Sequence, residues 1–185
     1  TASYFAAAAA IVGGSVTVED LPLQGSLQGD TQFLRVLENM GCTLAQKKNS
    51  TTITGSGPGT LKGVTVDMGD ISDTMMTLAC VAPYADGPTT ITNIAHVRGK
   101  ESDRVHSIVA GLAQMGIRVD ETPSSMTIFP GIPVGATIDP FGDHRIAMAF
   151  SIMGLNTPGV VIDDYTCVAK TCPEFFTLLQ EMTSS

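Results

Sequence analysis

The sequence is poor in charge and in aromatic residues. Only 15% of its 185 residues are charged and 5% are aromatic, with no tryptophan, whereas 43% are hydrophobic. This composition excludes a disordered chain, which combines low hydrophobicity with high charge. The hydrophobic core must therefore be built from alanine, valine, isoleucine, leucine and the nine methionines.

Positive charge is especially scarce. Ten lysines and arginines stand against 18 aspartates and glutamates, so the formal net charge is -8. A nucleic acid or an anionic membrane requires a basic face, and we therefore expect neither as a partner. A small anionic ligand is still compatible with this charge, because it needs only a few well-placed cations.

Metal-ligand spacings are also missing. No two of the four cysteines have CxxC spacing, and the three histidines are not placed to complete a ligand set, so we expect no metal site. Cys80, inside the apolar run 75–82, is expected to be a small core residue. Reduced thiols and a cytoplasmic location fit this pattern best.

The alanine-rich segment 1–12 has no basic leader and is too short to span a bilayer. It predicts a buried helix. Because the chain begins without methionine and almost inside this helix, we expect the sequence to start partway through a longer protein.

An internal repeat organises the chain. The string LENMG at 37–41 is echoed by LAQMG at 112–116, and each is followed by a strand, a polar turn (49–50 and 123–124) and a second strand. Each glycine is typical of a left-handed helix end.

Further elements extend the pattern to a β-α-β-α-β-β unit. Predicted helices cover 4–12, 74–82, 145–153 and 173–182, the last with Pro173 in its first turn. Predicted strands cover 15–18, 64–67, 89–93, 136–138 and 159–163. The expected fold is α/β, with repeats at about 1–60, 61–134 and a shortened 135–185 that pack their helices around a shared core.

Five of the ten cations lie in three short segments, 98–104, 142–145 and 168–171, and His96 and His144 lie beside or within them. All three segments are predicted loop-to-helix junctions, where free backbone N–H groups and the helix dipole favour anions. Arginine adds bidentate contacts and lysine a point charge. The pattern therefore indicates a phosphate or carboxylate site.

Each segment also has a purely local explanation. Ser102 or Asp103 fits a helix cap, and Asp143 fits another cap with Arg145 on the surface. The repeat favours the ligand site instead. It places Arg104 and Arg145 at junctions of successive copies, and Lys170 in the late loop of the third, so that the three converge at one end.

Asp73 precedes an otherwise apolar helix. It is either the N-cap of that helix or an acceptor for substrate hydroxyls and their protons. Nearby cations would lower the pKa of such a carboxyl and keep it ready to accept a proton at neutral pH.

At these residues the sequence resembles the enolpyruvyl transferases, and among them the enolpyruvylshikimate-phosphate synthase family. The matching strings run in order along the chain: ASYF at 2–5, QGD at 28–30, DTMMT at 73–77, RGKESDR at 98–104, GDHRIAM at 142–148 and AKTCPEF at 169–175. The resemblance implies that residues 1–185 form the C-terminal lobe of a two-lobed, inside-out α/β barrel, with the site in the cleft between the lobes.

The implied reaction transfers the enolpyruvyl group of phosphoenolpyruvate to the 5-hydroxyl of shikimate 3-phosphate and releases phosphate. The family uses no metal and no other cofactor, and glyphosate is its usual inhibitor. The resemblance makes Asp73 the proton acceptor, which also holds the shikimate hydroxyls, and Glu101 the proton donor to the methylene carbon. It assigns phosphoenolpyruvate binding to Arg104, Arg145 and Lys170, and a shikimate-phosphate contact to Lys100.

One departure is His96, which stands where many members have asparagine before the KES segment. The other is the missing lobe, whose absence leads us to expect a fragment that is inactive until the N-terminal part of the same enzyme joins it. Two alternatives stay open: the UDP-N-acetylglucosamine enolpyruvyl transferase, and a non-catalytic α/β lobe that serves as a binding or assembly module.

Overall fold

The computed structural model describes residues 1–21 and 29–183. Gln28 of the QGD string lies outside this part. The α-helices are α1 Ala2–Val12, α2 Gly29–Asn39, α3 Met75–Val81, α4 Arg104–Gln114, α5 His144–Met153 and α6 Phe175–Thr183. The strands are β1 Ser15–Glu19, β2 Thr43–Gln46, β3 Ser50–Thr54, β4 Thr65–Asp67, β5 Thr89–Thr92, β6 Val119–Glu121, β7 Met126–Ile128, β8 Thr137–Ile138 and β9 Val161–Ile162. Short 3-10 segments cover Gly69–Thr74, Ala82–Tyr84, Ala95–Gly99 and Tyr165–Lys170.

The described strands form three separate sheets. The first has the order β1-β3-β2 and is antiparallel throughout. The second has the order β4-β5-β7-β6, in which β4 runs parallel to β5 and the other pairs are antiparallel. The third contains only the parallel pair β8-β9. The two predicted hairpins, β2-β3 and β6-β7, are therefore confirmed.

Helices α1, α3 and α5 pack against one another at the centre of the molecule. Helix α1 is buried nearly all round because its side chains from Ala6 to Ala10 are small enough for close helix contacts, and α3 is buried along its whole length. The sheets lie outside this helical core, and β1 alternates between half-buried and exposed residues. The α/β prediction, with helices around a shared core, is confirmed, whereas the repeat boundaries stay a prediction.

Three glycines allow the turns and the close packing of these elements. Gly41 and Gly116 both have positive φ, at 107° and 78°, as predicted for the left-handed helix ends. At Gly55 the chain leaves β3 directly against α1, and a Cβ there would lie 2.1 Å from the carbonyl oxygen of Ala9. The first sheet can approach α1 this closely only because residue 55 has no side chain.

Some predicted boundaries were wrong. Helix 74–82 is shorter, because 3-10 segments flank α3 on both sides and Pro83 lies in the second of them. Pro173 is not in the first turn of α6, since the carbonyl of Glu174 accepts the first helical hydrogen bond, from the N–H of Leu178 at 3.0 Å. Strand 159–163 is reduced to Val161–Ile162, because Gly159 turns with a φ of 87°.

All four cysteines are free thiols, and Cys80 is fully buried as predicted. Across residues 1–21 and 29–183, no helix has both the length and the apolar character needed to cross a bilayer.

Candidate functional site

Arg104, the first residue of α4, is the centre of a charged cluster. Its side chain is only 3% exposed, yet all three of its nitrogens meet carboxylates. Nε donates to Asp143 at 2.8 Å, Nη1 donates to Asp73 at 2.9 Å, and Nη2 lies 3.5 Å from Glu101. Burial alone would lower the pKa of this guanidinium, but the hydrogen bond and charge of Asp143, followed by those of Asp73, raise it. Arg104 therefore stays charged.

Asp143 has no exposed surface and connects two helices. Its Oδ1 accepts the backbone N–H of Arg145 at 2.9 Å and so caps α5, while its Oδ2 accepts from Arg104 and, at 3.2 Å, from the hydroxyl of Ser102. Burial raises the pKa of this carboxyl, but the Arg104 hydrogen bond and charge outweigh burial and lower it overall. Asp143 is thus an ionised group that is saturated with donors, and it fixes the direction of Arg104.

Asp73 bridges Arg104 and Arg145. One carboxylate oxygen accepts from Arg104, and the other accepts from Nη2 of Arg145 at 2.9 Å, with the Asp73 carbonyl 3.4 Å from Nη1. Unlike Asp143, the Asp73 side chain is 51% exposed. The N-cap position of α3 falls on Thr74 and makes no side-chain cap bond, so the alternative of Asp73 as the cap of this helix is wrong.

Glu101 forms the second bridge of the cluster. It contacts Lys170, which ends the 3-10 segment Tyr165–Lys170, and it also faces Arg104. Lys170 is 58% exposed, so its ammonium is free to turn from Glu101 toward a ligand. The structure therefore brings Asp73, Glu101 and all three predicted anion-binding cations to one surface.

His144 begins α5 beside Glu101. Burial lowers the pKa of its imidazole despite the nearby carboxylates of Glu101 and Asp143. Nδ1 lies 3.1 Å from Glu101, yet neither ring nitrogen has a hydrogen-bond partner among the described residues. The neutral ring packs against Glu101 without balancing its charge.

Glu101, Asp143 and His144 are also the one group in the described part of the chain whose ligand atoms gather as a metal site would require. Their two carboxylates are already bound by Arg104 and Lys170, and Asp143 has no exposed surface. A metal ion would have to displace these cations, so the residues present are poorly suited to hold one.

Lys100 lies apart from the other cations. It is exposed and lines a shallow cavity of about 290 Å³ together with Asp73, Ser72 and Gly29. The ring of His96 contacts Ser72 on the same side, with Nε2 2.8 Å from the hydroxyl. Asp73 therefore lies between two areas, the arginine cluster on one side and the Lys100 cavity on the other.

A larger cavity, of about 600 Å³, lies elsewhere. It is lined by prolines, glycines and other uncharged residues near the C-terminal end of α3, among them Pro83, Tyr84 and Pro130. It contains no charged side chain. Volume alone is therefore a poor guide to the site, and the converging charges are the better one.

Sequence reasoning considered Asp143 only as a helix cap and gave His144 no part in the site. Both are central to the cluster. An aspartate directly before the first residue of an apolar helix, α5, was the available signal, because such an aspartate is brought into the core with the helix.

The fold is shared with solved enolpyruvyl transferases. EPSP synthase from Acinetobacter baumannii is similar with a TM-score of 0.86 and 29% identity, over 98% of this chain and 44% of that chain. The enolpyruvyl transferase NikO from Streptomyces tendae is similar with a TM-score of 0.76 and 16% identity, over 98% and 42%, which shows the fold alone. The fold of this chain is thus that of part of an enolpyruvyl transferase.

The family follows from the sequence. A family model described as EPSP synthase (3-phosphoshikimate 1-carboxyvinyltransferase) matches residues 1–179, and the chain belongs to this family. The 3-phosphoshikimate 1-carboxyvinyltransferase of Nostoc punctiforme is 48% identical over 98% of this chain, and the chloroplastic enzyme of Petunia hybrida is 43% identical over 98%. The chain spans only 42% and 36% of the lengths of these two relatives.

Proposed function

We propose that the chain forms part of an enzyme that transfers the enolpyruvyl group of phosphoenolpyruvate to the 5-hydroxyl of shikimate 3-phosphate and releases phosphate. The observation that carries the proposal is the double bridge of Asp73 between Arg104 and Arg145, with Glu101 and Lys170 beside it. Family membership indicates which reaction to expect, and the cluster contains a chemical group for each step of that reaction.

Arg104, Arg145 and Lys170 are proposed to hold phosphoenolpyruvate. The ligand carries a carboxylate and a phosphate, and the planar guanidinium groups suit both. In the present arrangement the three cations face Asp73, Glu101 and Asp143, so the cluster has no net charge. An incoming anion replaces the carboxylates of Asp73 and Glu101 as the partner of the three cations. Buried Asp143 keeps Arg104 in place during this exchange.

Asp73 and Glu101 are proposed to move the protons. Asp73 accepts the proton of the attacking hydroxyl, and Glu101, in its protonated form, gives a proton to the methylene carbon, so that the oxygen bonds to the neighbouring carbon. When the bond to phosphate breaks, Glu101 takes a proton back from the methyl carbon and the double bond re-forms, while Asp73 returns its proton to the leaving phosphate. The cations around both carboxylates stabilise the charge that develops during these steps. No proposed step uses a metal or an organic cofactor.

Lys100, across the small cavity from Asp73, is proposed to contact the phosphate of shikimate 3-phosphate, and His96 closes the Ser72 side of that cavity. The remaining contacts must come from the N-terminal part of the same enzyme. The third sheet supports a site shared between the two parts of the enzyme, because it contains only two described strands, whereas the other two sheets contain three and four. It also supports residues 135–185 as a shortened third repeat. Four free cysteines fit a reducing compartment such as the cytoplasm.

The test is turnover of the complete protein with both substrates. Asp73→Asn and Glu101→Gln are each expected to lower kcat by roughly 10²- to 10⁴-fold, the usual range for a lost general acid or base. Lys62→Met is the matched control for Lys170→Met. Lys62 is exposed, and its backbone N–H donates to the carbonyl oxygen of Met40, just beyond the C-terminal end of α2. Lys170→Met should raise KM for phosphoenolpyruvate, and Lys62→Met should not.

Near-normal turnover in the Asp73 and Lys170 variants would contradict the proposal. So would a preference for UDP-N-acetylglucosamine over shikimate 3-phosphate as the acceptor. Absence of any turnover in the complete wild-type protein would favour the non-catalytic lobe.

A further inference from the structure

Arg98 is the one cation of the three charged segments, 98–104, 142–145 and 168–171, to which the proposed function gives no role. It lies in the 3-10 segment Ala95–Gly99, and its side chain is 29% exposed. The groups that it contacts belong to the β6-β7 hairpin and to the cap of α4. These contacts indicate what Arg98 does beside the site.

All three guanidinium nitrogens of Arg98 donate hydrogen bonds. Nη2 donates to the carboxylate of Glu121 at 2.7 Å and to the carbonyl oxygen of Thr122 at 3.0 Å, and Nε donates to the carbonyl oxygen of Pro123 at 3.3 Å. Nη1 donates to both carboxylate oxygens of Asp103, at 3.3 and 3.2 Å. The planar fork of a guanidinium can bridge acceptors on two sides at once, which an ammonium cannot do. Arg98 therefore connects the cap of α4 to the hairpin.

The turn of the hairpin is a well-ordered anchor. The hydroxyl oxygen of Thr122 accepts the backbone N–H groups of Ser124 and Ser125 at 3.3 and 3.0 Å, and the backbone N–H of Thr122 donates to the carbonyl oxygen of Ser125 at 2.9 Å. The N–H of Ile94, just before the 3-10 segment, donates to the carbonyl oxygen of Ser124 at 3.0 Å. The turn is thus bonded internally and joined to the 3-10 segment at a second point.

The contact with Asp103 closes a short loop. Asp103 caps α4 through its side chain, so the ion pair with Arg98 joins the two ends of segment 99–102. This segment carries both Lys100 and Glu101. The clamp formed by Arg98, Asp103 and the hairpin turn therefore surrounds two residues of the proposed site.

Among the described residues, segment 99–102 is held unevenly. At its end, the hydroxyl of Ser102 donates to buried Asp143. At its start, Gly99 is exposed and a Cβ there would meet no atom within 4 Å, so packing does not fix it. The N–H of Lys100 donates to a carbonyl oxygen of the 3-10 segment at 3.4 Å, which is long for such a bond. The start of the segment therefore depends on the clamp.

Substrate binding would make this dependence stronger. In the present arrangement the carboxylate of Glu101 is also held by Arg104 and Lys170. In the proposed function an incoming anion takes over these two cations. The position of Glu101 is then set by the backbone of segment 99–102.

We propose that Arg98 is a positioning residue, which holds segment 99–102, and with it Lys100 and Glu101, in place for the reaction. The inference rests on the proposed function for the roles of Lys100 and Glu101. Arg98 acts through the clamp and needs no contact with either substrate. Its contribution is geometric, because a displacement of about 1 Å at a reacting group can lower a rate by about 10²-fold.

The test is Arg98→Met in the complete protein. We expect kcat to fall by up to about 10²-fold, because Glu101 is displaced. KM for shikimate 3-phosphate should rise about tenfold, because the contact of Lys100 with the phosphate weakens. KM for phosphoenolpyruvate should stay the same, since buried Asp143 holds Arg104 without help from Arg98. The midpoint of thermal unfolding should change little, because the ion pairs of Arg98 are partly exposed.

Two results of this experiment would overturn the inference. One is an unchanged kcat with an unchanged KM for shikimate 3-phosphate. The other is a rise in both KM values with a lower unfolding midpoint, since a general loosening of α4 would also displace Arg104.

The conservative variant Arg98→Lys separates geometry from charge. It keeps the positive charge near the anionic substrates but cannot bridge the hairpin and Asp103 as a guanidinium does. We expect it to retain most of the defect of Arg98→Met. Wild-type kinetics in Arg98→Lys would show that the charge alone matters and would overturn the clamp.

Arg118→Met is the matched control. Arg118 pairs with Asp120 of β6, in the same sheet, and both side chains are mostly exposed. Its loss should leave kcat and both KM values unchanged. Asp103→Asn should lower kcat in the wild-type background but add no further loss to Arg98→Met, because the contact between the two residues is already absent there. Fully additive losses would contradict the clamp.

Hydrogen exchange separates this inference from the proposed function. Mass analysis of peptides that cover 99–102 in the complete protein requires no turnover, and exchange there should be faster in Arg98→Met than in wild type or Arg118→Met. If the wild-type protein does not turn over the two substrates, the proposed reaction fails, and the exchange rates alone test the clamp. Faster exchange in Arg98→Met then supports it, and equal exchange overturns it.

Discussion

Arg104 and Arg145 meet the same carboxylate but differ in what surrounds them. Arg104 is held by buried Asp143 as well as by Asp73, whereas the ion pair that Arg145 forms in the described part of the chain is with the exposed Asp73. Desolvating a guanidinium is costly, and the attraction of a single exposed carboxylate would not offset it. Asp143, which has no exposed surface, offsets this cost for Arg104.

Removing the charge of Asp143 should therefore destabilise the fold. In Asp143→Asn the side chain keeps its size and an oxygen for the α5 cap, but Arg104 loses its buried counter-charge. We expect the free energy of unfolding to fall by about 3–5 kcal/mol, measured by urea unfolding. Asp120→Asn is the matched control, because the Arg118–Asp120 pair is exposed on both sides and is screened by solvent, so its loss should change stability little. Equal losses in the two variants would contradict the role of burial.

Because His144 is buried, we expect the stability of the fold to depend on pH. Burial places its folded pKa below the ordinary histidine value, so the unfolded chain takes up the proton first as pH falls. The contribution of the neutral ring is complete above about pH 6.5 and is lost as pH falls below it. The unfolding midpoint should decrease between pH 7 and 5, and His144→Gln should flatten this decrease.

The exposed His106 supplies the control for that experiment, since His106→Gln should leave the slope between pH 7 and 5 as it is in wild type. Asp143 acts at lower pH. Its pKa is lowered in the folded state, so its contribution is present above about pH 4 and is lost as pH falls further.

At the scale of elements, the site is assembled from helix starts. Helix α4 begins at Arg104 with Asp103 as its cap, and α5 begins at His144 with Asp143 as its cap. The 3-10 segment Gly69–Thr74 brings Asp73 to the same end of α3. Because the N-terminal end of a helix carries free N–H groups and a positive partial charge, gathering several such ends favours an anion there.

The spacing of these elements should be sensitive to glycine substitution. Gly55→Ala would bring a methyl group against the backbone of α1 at Ala9, which cannot move without shifting the central helix. We expect a loss of about 1–3 kcal/mol in the free energy of unfolding. Gly87→Ala is the matched control, because a Cβ at Gly87 meets no atom within 4 Å. If both variants unfold alike, the close approach of β3 and α1 does not limit stability.

At the scale of the whole molecule, the cysteines report on the integrity of the core. Cys42, Cys80 and Cys172 are buried, and burial raises the pKa of Cys42 to about 11. Cys167 is only partly buried, although burial raises its pKa as well. Three of the four thiols are therefore both hidden and protonated in the folded state.

Thiol labelling at neutral pH should accordingly modify Cys167 first, with the site assigned by peptide mass analysis. Cys42, Cys80 and Cys172 should become reactive only on unfolding, because the thiolate is the nucleophile and needs access to the reagent. Cys167→Ser should remove the early phase of labelling. Early labelling of Cys80 would mean that the packing of α3 in the core is looser than the structure describes.

The sequence determined much of the fold because local patterns carry it. The glycines at helix ends, the hairpin turns and the apolar helices follow from rules that act within a few residues, and they predicted Gly41, Gly116 and both hairpins correctly. Short-range rules were less reliable where propensity is weak, as at the ends of α3 and at Pro173, because packing sets those boundaries.

The sequence by itself also determined which residues carry the charge, since five of its ten cations fall in three short segments. Only the tertiary structure decided how those charges are paired. It buried Asp143 and Arg104 together and left Asp73 and Lys170 exposed. Burial and pairing depend on residues far apart in the chain, and no local pattern in the sequence records which of them meet.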